Sequence, residues 1–320
     1  MRFRNAIRLF TDNFGNVYKM LLFRLVTGIL FLSIVFVILN RGLHVIFESA
    51  EAQALIKIVA DLFEALGTGR PTFDALVDFR DAFISATGDF FVMIGTHMDS
   101  IIGSLVGVVV MYLLARFLNG TATFAVGSIL NDKMEAYSRT PFSTAYFKNI
   151  GKSMLYQVLY VPVSFIYDVL SLAACWFFFL YTPSFLPSFG ILTIFVGLAF
   201  SMTAFVCLES LKLTFISAWI PAVVTDGVGV CKGCSFSFKA LKGFGGRFSN
   251  FLIAVYLIIV VNVMVALCTF GSMLIISIPA SYLLLTSIQF ICYYEDTGKK
   301  YFLSYRKISG ADGKPETMGD

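Results

Sequence analysis

Apolar residues run in six long blocks along the chain, each long enough to cross a bilayer as a helix. A spanning helix needs about 20 predominantly apolar residues, because each residue rises about 1.5 Å and the hydrocarbon core is about 30 Å thick. The blocks fall at Met20–Leu39, Ser100–Leu118, Pro162–Tyr181, Phe189–Glu209, Phe248–Leu267 and Ser272–Tyr293. The expected fold is therefore all-α, a polytopic transmembrane helical bundle of about six spans.

The intervening stretches carry their own patterns. In residues 1–19, Phe3, Ile7, Phe10 and Phe14 recur at helical spacing beside Arg2, Arg4 and Arg8. This reads either as an amphipathic helix in the interface plane or as an extension of the first span. A signal peptide is not expected, since the apolar block is too long and no small-residue cleavage site follows it. Residues 40–99 form an insertion in which Leu55, Val59, Leu62, Phe63 and Leu66 make one helical stripe. Gly67, Gly69 and Pro71 break that stripe, and a second, short helix follows with Asp74, Asp78 and Asp81 on one face. This predicts a small two-helix cap within one membrane domain covering residues 1–320. Polar loops at 119–161 and 210–247 also carry helical patterns and are expected at the interface. The uncharged, Pro-rich Thr182–Pro187 turn joins spans three and four, and residues 294–320 form a tail.

Charge sets the orientation. Cations close to span ends stay on the cytoplasmic side. The segment through Arg24 has five cations and one anion, residues 116–152 have five cations against two anions, and residues 209–247 again have five against two. The insertion has four cations against nine acids. With six spans, the basic segments share one face and the acidic insertion takes the other. Both termini and the tail are then cytoplasmic, and the 40–99 cap is extracytoplasmic.

Composition agrees. The chain is 58% hydrophobic and 14% charged, with 35 Phe, and its mean hydropathy is +0.82. Soluble domains are about 45–50% apolar and about 25% charged. A net charge of +4 is too small to point to nucleic acid. The six Cys are scattered and make no disulfide framework, and two His, His44 and His97, are too few for a His-rich metal site.

Charged groups inside the spans need a partner or a function, since each costs about 2.5–3.5 kcal/mol on insertion scales. The candidates are Arg24, Arg116, Asp168 and the pair Glu209/Lys212. With span three starting at Pro162, Asp168 lies about 9 Å inside the cytoplasmic edge. That depth allows an ion pair with Arg116 or with Arg24. Glu209 and Lys212, three apart, can pair on one helix face. The bland reading is snorkelling arginines and one neutralised Asp; the sharper one is a polar cavity open to the cytoplasm. Gly103 and Gly107 form a G-x-x-x-G that lets helix backbones approach, within the bundle or in a dimer.

Other motifs carry little chemistry. Cys231-Lys232-Gly233-Cys234 has no second ligand pair for zinc and no strand for a thioredoxin-type site. The segment Lys242–Arg247 is Gly-rich and basic but lacks the spacing of a phosphate loop. Lys239, Lys242 and Arg247 are instead expected to contact lipid headgroups. The sequon Asn119-Gly120-Thr121 falls on the cytoplasmic side and is read as chance. No catalytic constellation, metal site or cofactor motif emerges.

Two stretches carry resemblances. Thr121–Val126, Pro141–Ser153, Ile278-Pro279-Ala280 and Gln289–Tyr294 resemble the YesL-like family of bacterial integral membrane proteins. That resemblance implies a bacterial inner-membrane location and a link with carbohydrate-uptake systems. Ile220–Val224, Gly227–Val230 and Ser235–Gly243 resemble, less closely, the membrane domain associated with glycerophosphodiester phosphodiesterases. The catalytic domain of those enzymes has no counterpart here. The expected role is a non-enzymatic accessory or scaffold of a transport or envelope system. The alternatives are a secondary transporter with a cytoplasm-facing cavity around Asp168 and an enzyme on lipid headgroups. Expected partners are membrane lipids, with another membrane protein or a transport system as a further candidate.

Overall fold

In a computed structural model, which describes residues 2–42, 48–67, 73–96, 98–185, 192–239, 243–304, 307–309 and 315–317, the apolar blocks are helices. Helix α1 (Arg2–Asp12) precedes α2 (Gly15–Gly42), and the insertion holds α3 (Ala50–Gly67) and α4 (Phe73–Thr96). Then come α5 (Met98–Ala136), α6 (Phe142–Phe185), α7 (Leu192–Ile216), the short α8 (Trp219–Thr225) and α9 (Val230–Lys239), α10 (Phe244–Thr269) and α11 (Leu274–Asp296). The chain closes with three short strands, β1 (Tyr301–Ser304), β2 (Lys307–Ser309) and β3 (Pro315–Thr317), in one antiparallel sheet of that order.

Six helical stretches among the described residues are long and apolar enough to cross a membrane, so the protein is an all-α polytopic membrane protein. Their outward side chains fit lipid rather than water. Val26, Phe36, Val163, Leu170 and Leu267 are each well over half exposed, and a soluble protein rarely leaves so much contiguous apolar surface open.

The expected loop at 119–161 is helix over most of its length. Residues 119–136 continue α5, and 142–161 open α6. At 39 and 44 residues these helices run about 58 and 66 Å, about twice a hydrocarbon core. The reason lies in the sequence: Phe124, Leu130, Met134 and Tyr156 supply a buried apolar face where a loop was expected. The turn between the two helices is made by Tyr137, held left-handed at φ 52°, with its N–H donating to the Lys133 carbonyl. Pro183 lies inside α6, and residues 186–191, the rest of the Pro-rich turn included, lie outside the described residues.

The described chain divides into two compact units. The first holds residues 1–27, 116–173 and 203–320. Its core joins α1, α5, α6, α8 and α11: Tyr156 packs edge-on against Trp219 at 4.8 Å and beside Phe124 at 5.4 Å. Two glycines on one stripe of α5 permit this closeness. A Cβ on Gly120 would fall 2.3 Å from the buried Gln157 amide, and one on Gly127 would fall 3.1 Å from the Phe290 ring. Helix α1 neither extends α2 nor lies free in the interface. It packs on α11 through Asn5, Ala6 and Leu9, while Ile7 and Phe14 of the expected stripe remain over a third exposed.

The second unit holds residues 28–115 and 174–202. Here α3 and α4 pack on each other as the expected helical pair, although α4, at 24 residues, is longer than predicted. Ser49 caps α3 by accepting the Ala52 N–H at 3.1 Å. Of the anticipated stripe, Leu55, Val59 and Leu62 turn inward and Phe63 is exposed. Gly107 meets Ile38 of α2 at 3.5 Å, whereas no described atom lies within 4 Å of a Cβ built on Gly103. The G-x-x-x-G thus contributes one close contact, and the tightest glycine packing sits further along α5.

Candidate functional site

Four of the five charged residues expected within the spans come together in the first unit. Helix α5 supplies Arg116, α6 supplies Asp168, and α7 supplies Glu209 and Lys212. Arg116 Nη1 donates to Asp168 Oδ2 at 2.5 Å, and Lys212 Nζ donates to Asp168 Oδ1 at 2.7 Å. Lys212 also reaches Glu209 Oε2 at 2.5 Å, the i,i+3 pair that the spacing allowed. Arg116 Nη2 adds a bond to Ser164 Oγ, one turn before Asp168. Asp168 is therefore shared by cations from two other helices.

Arg116, Asp168, Glu209 and Lys212 all fall within candidate spans. Arg116 lies 14 residues from Ile102 and Asp168 lies 14 residues from Thr182, about 21 Å of helix in each case. The side chains are between 12% and 24% exposed. Two cations and two carboxylates sum to zero, so the cluster enters lipid as a neutral, hydrogen-bonded unit. Such a unit contributes little net stability but is costly to break by halves. Tyr167 adds a hydroxyl bond to the Leu208 carbonyl, tying α6 to α7.

Arg24 stands apart. Its guanidinium lies over the Tyr282 ring, 3.9 Å from the centroid, and its Nε is buried with no hydrogen-bond acceptor among the described residues. Of the two ion pairs the depths allowed for Asp168, the structure forms the one with Arg116.

Sequence reasoning missed a second polar network at the end of α11. Asp296 accepts from Arg247 Nε and from Arg2 Nη2 at 2.6 Å. Glu295 accepts from Arg2 Nε at 3.0 Å and from the Tyr301 hydroxyl at 2.9 Å. Asn5 Nδ2 donates to that same hydroxyl oxygen at 2.9 Å. Burial pushes the Tyr301 hydroxyl's pKa up, so it stays protonated and able to donate to Glu295. Asn131 Oδ1 accepts from both Thr225 and Tyr294, at 2.7 and 2.9 Å, and Asp226 accepts from Tyr293 and Lys299. The available signal was the run Tyr293-Tyr294-Glu295-Asp296, where polar groups cluster at the close of an apolar block.

This network corrects the headgroup role expected for Arg247. The residue is 3% exposed and turned inward to Asp296, because α10 packs on α11 at that level. Lys242 lies outside the described residues, as does the side chain of Lys239. Asn119, the sequon residue, accepts a bond from Thr27 Oγ1 at 2.9 Å between α2 and α5. Cys231 and Cys234 are free thiols on α9. Burial, followed by neighbouring Cys231, pushes the Cys234 thiol up, which favours its protonated, less nucleophilic form. Among the described residues no group of three or more His, Cys, Asp and Glu is placed to hold a metal ion.

Fold and cluster together define a multi-pass α-helical membrane protein whose paired charges within the spans are carried by three helices. Comparison with protein-family models, curated proteins and solved structures finds no match to this chain.

Proposed function

We propose that this chain is a non-enzymatic multi-pass protein of the bacterial inner membrane, with both termini cytoplasmic, serving as an accessory or scaffold component of a transport or envelope system. The observation that carries the reading is the mutual saturation of the charges in two clusters. Arg116, Lys212, Asp168 and Glu209 are consumed by one another, and Arg2, Arg247, Glu295 and Asp296 likewise. Groups spent on holding helices together suit a rigid framework. The YesL-like resemblance makes carbohydrate uptake the first system to examine.

The chain alone, reconstituted in vesicles, is expected to move no solute above the protein-free background. Purified in mild detergent, it is expected to bring down a defined uptake or envelope complex. Solute flux through the chain by itself would overturn the scaffold reading. One observation favours the transporter as the second reading: Asp168 bridges cations from two other helices, the place a coupling carboxylate would occupy. Flux present in the wild type and lost in Asp168→Asn would establish that alternative.

The orientation has its own test. An export-dependent reporter fused after residue 80 should be active, and a cytosolic signal at that position would reverse the threading argued from Lys and Arg placement.

A further inference from the structure

Of the five charged residues expected within the spans, Arg24 is the one that the four-residue cluster leaves out. On α2 it continues the packed stripe of Val17 and Met20, both fully buried, at i, i+3 and i+7 spacing. It therefore points toward the bundle, and snorkelling along a lipid-facing side does not account for it. Asp168, the carboxylate within its reach by depth, is already held by Arg116 and Lys212. The Arg24 Nε proton is buried with no acceptor among the described residues. An unsatisfied buried donor is costly, more so when charged.

We propose that Arg24, braced by Tyr282, binds an oxyanion of phosphate type at the cytoplasmic leaflet. The Tyr282 ring, 3.9 Å from the guanidinium carbon, braces the group, and because Nε is covered by the protein the two terminal amines form the fork for two parallel N–H···O bonds to one anion. Phosphate oxygens match that fork, and a negative charge cancels the cation that the neutral four-residue cluster does not. The phosphate of an anionic lipid and a soluble phosphate-bearing solute share this chemistry. The inference is independent of whether the chain scaffolds or transports, but rests on the cytoplasmic placement of the N-terminus.

The test uses the full chain purified in mild detergent. Lipid retention is read by native mass spectrometry with phosphatidylglycerol and phosphatidylcholine, and thermal stabilisation is read with inorganic phosphate. A lipid site predicts that phosphatidylglycerol is held in preference to phosphatidylcholine and that Arg24→Gln weakens it at least about tenfold. A site for a soluble anion predicts stabilisation by inorganic phosphate that Arg24→Gln abolishes. Tyr282→Leu, which keeps the charge and removes the brace, should weaken either ligand by a smaller factor. Arg24→Lys keeps the charge should Arg24→Gln misfold, and it should still lose affinity because the fork is gone. Arg4→Gln, on the exposed face of α1, serves as the control. Binding of both probes at the wild-type level in Arg24→Gln, or in Arg24→Lys where the first misfolds, overturns the proposal.

Discussion

Replacing Asp296 with leucine should destabilise the detergent-solubilised protein by about 3–5 kcal/mol, the range for stranding one partner of a buried ion pair. Arg247 is 3% exposed, and beyond Asp296 its nearest polar contact is Ser217 Oγ at a marginal 3.5 Å. Leucine would leave the guanidinium buried without its counter-charge. Arg2 would keep Glu295 at 3.0 Å, so the damage centres on Arg247. The paired replacement Arg247→Leu with Asp296→Leu removes the stranded charge and should recover more than half of the loss. Thermal unfolding followed by the fluorescence of Trp219, which sits in the same core, reads both. An Asp296→Leu protein within about 0.5 kcal/mol of wild type would show that this buried pair does not hold the core.

Asp168→Leu should cost somewhat less, about 2–4 kcal/mol, because the group is not fully buried and a stranded surface charge costs little. The substitution leaves Lys212 with Glu209 and Arg116 with the neutral Ser164 hydroxyl. Asn at the same position keeps a hydrogen-bonding side chain and should do less harm. Adding Arg116→Leu to Asp168→Leu removes one stranded cation, so the two losses should fall short of additivity by more than about 1 kcal/mol. Unfolding midpoints of the single and double variants give this coupling directly. Losses that simply add would mean that the contact between α5 and α6 is energetically silent.

The apolar blocks were legible because lipid imposes a length and a composition on a spanning helix that no nearby residue can overrule. Helix ends were not. Blocks two and three stop being apolar near Leu118 and start near Pro162, yet α5 runs on to Ala136 and α6 begins at Phe142. Past the lipid, helix length is set by packing partners distant in sequence, and Phe124 finds Tyr156 without any local mark of the pairing. The ionic cluster was partly readable: charges in an apolar run are rare, so four members could be named, and helical spacing paired Glu209 with Lys212. Which arginine Asp168 would take depended on helix neighbours that depth alone does not choose. Arg247 was misread for a related reason. A basic residue beside glycines at a span entrance looks the same whether it faces headgroups or, as here, turns inward to the end of α11.

Arg2 and its two carboxylate partners are 293 and 294 residues apart, which has a consequence for biogenesis. At about 5–20 residues per second, roughly 15–60 s separate the emergence of the two halves of that clasp. Throughout this interval α1 exists without the surface it will cover, its arginines and aromatic rings suited to waiting on the bilayer. The last span and the first strand act as a latch, and a chain truncated before residue 295 would lack both carboxylates that hold Arg2.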